Sequence, residues 1–491
     1  MVHSRTVAEL AELLGGWSVG TGPLYRKLAD ALARLINDGA LRAGDRLPAE
    51  RSLAGALATS RATVVGAYEE LRGRKLIERR QGSGTTVAER VATPVGDGRV
   101  AGGRATAMFQ RLIDGQGPLI SLAWAAQGGS AEVAGALDEV LRYDMTQLLA
   151  DPGYHPRGLP ELREAIARYY TELGLPTSAD QILVTTGAHQ ALVVVAEVYL
   201  RERARVVVEA PSWPACMDVF RAVKAELVSI GLDDEGIRIP ELAATLAEQV
   251  PALLYVMPSH HNPTGILMSD ARRRRIAELA AKYGVPILED NAYAGIAHTE
   301  SELPPPLAAY APLGVETVTV ESLGKAVWGG LRIGWLRGPV EIIERCARRK
   351  ALADLGSPVI DQALAARLLP QLPDLAAKRA VEQRARLDQL EQLLTERLPA
   401  WSWRRPDGGA SLWVALPEVH ADVFAQLTLR HGVEVIPGSS MDPTGAHDNY
   451  VRIPFTHPPE VLTELVQRLG RAWDELCRHG PSESAPLRPI I

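Results

Sequence analysis

The sequence predicts an α/β protein: a large, mostly parallel sheet flanked by helices, a smaller C-terminal α+β region, and a compact helical head in front. Three observations predict it. Short apolar runs at Ile182–Thr185, Val206–Glu209, Leu253–Met257, Pro286–Glu289 and Thr317–Val320 alternate with amphipathic helical segments, the pattern of a sheet covered on both faces. The first 90 residues carry helical periods and a glycine-rich hairpin signal instead. A chain of 491 residues also exceeds what one core holds, so two or three domains are expected.

The head is read in order. Leu24, Leu28, Leu32 and Leu35 recur at helical spacing over Pro23 to Asp38, and Gly39 closes that helix. The turn Gly44-Asp-Arg-Leu-Pro48 leads to a short second helix from about Ala49. Thr59-Ser60 then caps a third, Arg61 to Arg72, with Val64, Ala67, Tyr68 and Leu71 on one face. Leu76–Arg80 and Thr85–Val87 read as strands joined by Gln81-Gly-Ser-Gly84. Three helices and a hairpin within about 70 residues make a winged helix-turn-helix arrangement. Residues 1–88 are assigned to it. Residues 89–118, rich in Gly, Ala, Arg and Thr, read as a flexible linker, and 119–491 as the body.

Within the body, Val340 to Arg397 reads as one long helical stretch. A terminal region follows with strands at Leu412–Leu416, Val433–Ile436 and Tyr450–Phe455.

Composition narrows the function classes. From Thr21 to Arg90 there are 13 Lys and Arg against 8 Asp and Glu, whereas the whole chain carries a net −6. A basic head on an acidic body points to an anionic partner for the head. The longest apolar run, Ala191 to Leu200, contains Glu197 and is too short to cross a bilayer. Val7–Leu14 carries Glu9 and Glu12, unlike an export signal. Cys216, Cys346 and Cys477 are scattered, which implies neither a disulfide framework nor a zinc site, and a cytoplasmic protein is expected. The adjacent His260 and His261 lack a third ligand at zinc spacing, so no metal is expected.

Pro48-Ala-Glu-Arg51-Ser-Leu-Ala, Ser60-Arg-Ala-Thr63 through Leu71, and Gln81-Gly-Ser-Gly-Thr85 together resemble the winged-helix domain of GntR-family transcription regulators. The chemistry agrees. A helix start bearing Ser60, Arg61 and Thr63 suits a major groove, where arginine pairs with guanine edges. Arg51 would contact phosphate, and Gln81 and Gly82 lie in a wing whose backbone can approach the minor groove. Double-stranded DNA is the expected partner.

In the body, Asp151-Pro-Gly-Tyr-His-Pro-Arg-Gly158, Thr185-Thr-Gly-Ala-His189, Asn262-Pro-Thr-Gly265, Asp290-Asn-Ala-Tyr293, Ser322-Leu-Gly-Lys325 with Arg332-Ile-Gly334, and Tyr450-Val-Arg452 fall in order. Alone, Asn262-Pro-Thr-Gly265 is an ordinary turn and Lys325 a solvated lysine. Their order at successive strand ends carries the reading, because open α/β sheets bind ligands there. The series resembles fold type I pyridoxal phosphate enzymes of the aminotransferase class, over nearly the whole of Leu119 to Trp473. The whole chain resembles the MocR-type subfamily of GntR regulators, in which such a head is fused to an aminotransferase-like body.

That resemblance implies pyridoxal 5'-phosphate as cofactor and a role for each residue. Lys325 matches the lysine that condenses with the cofactor's aldehyde, and Asp290 the carboxylate that keeps the pyridine nitrogen protonated. Asn262 and Tyr293 match the donors to the phenolic oxygen. Gly187, Ala188, Ser322 and Arg332 match the phosphate cradle, at a helix start suited to anions. His189 or Trp213 matches the stacking ring. Tyr154 matches a tyrosine reaching the neighbouring subunit's phosphate, which implies a homodimer. Arg452 matches the arginine that grips a substrate or effector carboxylate. Many such regulators carry another residue before Pro-Thr-Gly, whereas this chain keeps Asn262 as transaminases do. The expected function is a cofactor-dependent transcription regulator responding to an amino compound or to the cofactor itself. The alternative is an active aminotransferase with an accessory DNA-binding head.

Overall fold

The computed structural model describes residues 6–19, 22–80, 84–88, 100, 103–105, 119–299, 302–312 and 314–479. The head contains helices α1 (Val7–Leu14), α2 (Leu24–Asn37), α3 (Glu50–Ala56) and α4 (Arg61–Gly73). Its strands β1 (Arg46–Leu47), β2 (Ile77–Arg80) and β3 (Gly84–Val87) form an antiparallel sheet in the order β1-β3-β2. The leucines that set the helical period, Leu28, Leu32 and Leu35, are buried with Val64, Tyr68 and Leu71.

Helix α1 is an addition to the sequence reading. Glu9, which argues against an export signal, closes a capping box: its backbone N–H donates to Thr6 Oγ1, and its carboxylate accepts from the Thr6 N–H. Leu10 and Leu14 then join the head's core.

In the body, β5 (Ile182–Thr185), β6 (Arg205–Ala210), β7 (Glu226–Asp233), β8 (Gly236–Ile237), β9 (Leu253–Val256), β10 (Ile287–Asp290), β11 (Thr317–Ser322) and β12 (Gly334–Arg337) form one sheet. Its order is β5-β12-β11-β10-β9-β6-β7-β8. Strands β7, β6, β9, β10 and β11 run parallel, and β12 is antiparallel to both its neighbours. Apolar side chains alternate between two cores: Val206, Val208, Leu253 and Tyr255 face one, and Val207, Leu254 and Val256 the other. Burial on both faces explains why these strands read as continuous apolar runs.

The long helical stretch is a correction: it is three helices, Val340–Asp354, Val359–Leu368 and Leu372–Arg397. Pro358 caps the second and a 3₁₀ turn at Leu369–Gln371 precedes the third, because proline has no N–H for a helix interior. The C-terminal lobe holds β13 (Ser402–Trp403), β14 (Ser411–Ala415), β16 (Ile436–Pro437) and β17 (Tyr450–Pro454) in the order β13-β14-β17-β16. A separate pair joins β4 (Ile120–Ser121) to β15 (Val433–Glu434), so the run Val433–Ile436 divides between two sheets.

Part of the expected flexible linker is fixed to the body. Asp218, in the helix Pro214–Ala222, accepts the backbone N–H of Arg104 at 3.1 Å and of Ala105 at 2.7 Å. A side chain at position 103 would lie 2.8 Å from Asp218 Oδ2, so glycine permits this approach.

Candidate cofactor site and DNA-binding face

The parallel strands deliver their carboxyl ends to one place. Asp290 ends β10, Ser322 ends β11, Gly187 and Ala188 follow β5, and Asn262 follows β9. Arg332 lies two residues before β12, which runs antiparallel and so begins at the same edge.

Asp290 is 2 % exposed. Its Oδ2 accepts from Tyr255 Oη at 2.8 Å and its Oδ1 from the Ala292 N–H at 3.0 Å. Burial raises its carboxyl above the ordinary range, against the opposing pull of those donors and of the Lys325 charge. Lys325 Nζ stands 5.1 Å from the centroid of the Tyr293 ring and donates to the Ala125 carbonyl at 2.7 Å. The sequence reading missed both Tyr255 and Ala125. Tyr255 lies within an apolar strand run, and a backbone carbonyl has no residue signature.

The residues expected to hold the phosphate include Gly187 and Ala188, which Gly334 approaches closely. A Cβ there would lie 2.7 Å from the Gly187 carbonyl carbon and 2.9 Å from Ala188 N. Glycine on β12 thus lets the start of the helix Ala188–Tyr199 sit against the sheet. Gly187 is its N-cap at φ 110° and, as glycine, offers no side-chain cap. Arg332 is exposed, has φ 52°, and donates through Nη2 to the Thr186 carbonyl at 2.5 Å. A non-glycine residue held in this region is strained, and such strain clusters at functional sites. Ser322 is half-buried beside them. The two candidate stacking rings, His189 and Trp213, meet edge to face at 5.8 Å.

Arg452 is buried on β17. Its Nη2 donates to the Leu122 and Ala123 carbonyls at 3.0 and 2.7 Å, and its Nη1 lies 3.5 Å from Asn262 Oδ1. Its Nε has no partner among the described residues. Tyr154 is 71 % exposed. His260 Nδ1 bonds to the Tyr293 carbonyl and His261 Nδ1 to Thr264 Oγ1, both at 2.9 Å, which gives each histidine a structural role.

In the head, Ser60 caps α4 by accepting the Thr63 N–H at 3.1 Å, and the two hydroxyls are 2.9 Å apart. Tyr68 Oη donates to the Pro48 carbonyl and fixes α4 against the turn before α3. Arg51 and Arg61 are exposed, and neither forms an ion pair among the described residues. Gln81 and Gly82 lie outside the described residues.

Residues 24–87 match the family described as bacterial regulatory proteins, gntR family, and residues 151–469 match aminotransferase class I and II. The chain is 31% identical over 458 residues to the HTH-type transcriptional regulator YisV of Bacillus subtilis, covering 89% of this chain and 92% of that one. The chain belongs to this family of GntR-headed, aminotransferase-bodied regulators. The HTH-type transcriptional regulator TauR of Rhodobacter capsulatus is 27% identical over 92% of this chain and 97% of its own. The body resembles the α-aminoadipate aminotransferase LysN of Thermus thermophilus, solved with N-(5'-phosphopyridoxyl)-L-leucine. That likeness has a TM-score of 0.68 at 26% identity, covering 75% of this chain and 95% of the other. In this GntR-type regulator the aminotransferase fold carries pyridoxal 5'-phosphate, and the site suits that group: a lysine, a buried carboxylate one strand away, and an uncapped helix start admitted by Gly334. No described helix is long and apolar enough to cross a membrane.

Proposed function

We propose that the body senses an amino compound, or the cofactor itself, and that occupancy alters how the head engages an operator. The observation that carries this reading is the buried Asp290 beside Lys325, in a chain whose head presents Arg61 outward on α4. When bound, the cofactor supplies an aldehyde and an electron-withdrawing ring. Lys325 holds the aldehyde, and Asp290 keeps a proton on the ring nitrogen. Asn262 and Tyr293 donate toward the phenolic oxygen. Gly187, Ala188, Ser322 and Arg332 would hold the phosphate, and His189 or Trp213 would supply the stacking ring. Arg452 takes an effector carboxylate. Arg51, Ser60, Arg61, Thr63, Gln81 and Gly82 form the DNA face.

The protein acts as a homodimer in the cytoplasm, with Tyr154 serving the neighbouring subunit's phosphate. Residues 1–88, 89–118 and 119–491 act as head, linker and body. The exposed Tyr154 ring, together with Leu141, Tyr143 and Leu149 at 55%, 69% and 77% exposure, supports a partner-facing surface. An effector acts only if it prefers one arrangement of head and body over another. The test is the visible spectrum of the purified protein titrated with amino compounds, beside binding to DNA selected from a random pool. Spectral changes that track DNA affinity support the reading.

A second reading, an active aminotransferase with an accessory head, is favoured by the retained Asn262 and Lys325 together. Sustained turnover without DNA binding at low salt selects it.

A further inference from the structure

Three carbonyls of one short segment meet two of the site's cations, Arg452 and Lys325. The carbonyls of Leu122 and Ala123 accept from Arg452 Nη2, and the carbonyl of Ala125 accepts from Lys325 Nζ. The segment is anchored at both ends. Ile120 and Leu122 donate to the Gly432 and Glu434 carbonyls, and Ser121 Oγ donates to Glu434 Oε2 at 2.6 Å. Beyond it, Arg386 donates to Gln127 Oε1 at 2.8 Å and Arg379 to the Gly128 carbonyl at 2.9 Å. Ala125 packs against Tyr293, and Leu122, Ala123 and Ala125 are buried.

We propose that residues 122–125 are a strap which a ligand carboxylate displaces from Arg452. This rests on the reading of Arg452 as the carboxylate-binding residue. A guanidinium grips a carboxylate bidentately in two ways, side-on through Nε and Nη2 or end-on through Nη1 and Nη2, and both use Nη2. The two Nη2 protons are taken by Leu122 and Ala123. A bidentate grip therefore breaks at least one strap contact, exchanging a neutral carbonyl for an anion, which is the stronger partner. The Nε–H, buried without a partner among the described residues, is already available for the side-on form. The strap lies at the start of the body, four residues beyond the 89–118 stretch. An α-carboxylate thus acts on the linker end of the body, whereas an amine without a carboxylate does not.

The test uses the full-length protein loaded with pyridoxal phosphate. The common L-amino acids are screened for those that change the visible band, and hydrogen exchange is followed over residues 120–128. An amino acid that changes the band should speed strap exchange by about tenfold or more while β14 stays protected. The matching decarboxylated amine should change the band and leave the strap protected. A band change by the amino acid with strap exchange unchanged or slowed overturns the proposal, as does equal release by the amine. If no amino acid changes the band, the underlying reading of the site fails first, which is a distinguishable result.

Discussion

Arg104 Nη1 stands 2.9 Å from Glu12 Oε2, joining the linker to the first helix of the head. The same residue's backbone N–H is held by Asp218, whose helix begins beside Trp213. Gln426 Nε2 donates to the Ala11 carbonyl at 3.4 Å, so α1 rests on the body's helix Ala421–Arg430 as well. Arg104 thus links the helix that begins beside Trp213 to the first helix of the head.

Glu12 makes this docking pH-dependent. Burial pushes its carboxyl up from 4.5 to about 7, outweighing the lowering effect of Arg104, with Asp422, Asp218 and Glu9 adding to the rise. Docked Glu12 keeps its proton where a solvated glutamate has lost it, so docking weakens as pH rises from 4.5 through about 7. Hydrogen exchange of Val7–Leu14, corrected for its intrinsic rate, should show protection falling over that window. Glu12→Gln should flatten the dependence; an unchanged slope in the variant removes Glu12 as its source.

Purified protein should be yellow, with a visible band that Lys325→Ala abolishes. A wild-type protein that stays colourless with excess cofactor contradicts the assignment of Lys325.

Gly334→Ala places a methyl group against the backbone of Gly187 and Ala188. The expected cost is about 1–3 kcal/mol of stability, as for overpacking elsewhere. Because the displaced atoms belong to the proposed phosphate cradle, cofactor affinity should fall as well. Urea unfolding and absorbance titration measure the two effects, and cofactor affinity equal to wild type rules out the role given to Gly334.

Sedimentation should give twice the 53.0 kDa of the chain, and Tyr154→Phe should weaken cofactor retention without dissociating the dimer. A stable monomer with full cofactor occupancy would falsify the shared site.

Arg61→Ala should remove about 1–3 kcal/mol of sequence discrimination and leave the cofactor spectrum unchanged. Arg51→Ala should weaken all DNA nearly alike and lower the salt slope by about one unit. Binding to specific and random duplexes over a salt series separates them. Equal losses on both duplexes for Arg61→Ala count against its place at a base edge.

The sequence by itself determined the parallel strands, because strands buried on both faces must be apolar throughout, and β9 spans Leu253–Val256 within the apolar run Leu253–Met257. It also pointed to Lys325, Asp290, Asn262 and Arg452, since their chemistry requires particular side chains in a particular order. Only the tertiary structure decided what surrounds them. Tyr255 reaches Asp290 across 35 residues, Lys325 reaches Ala125 across 200, and Arg452 reaches Leu122 across 330. The last two contacts use backbone carbonyls, which every residue carries, so no side-chain pattern marks them. Gly103 and Gly334 are likewise set by how closely another segment approaches, a distance fixed only when the layers pack.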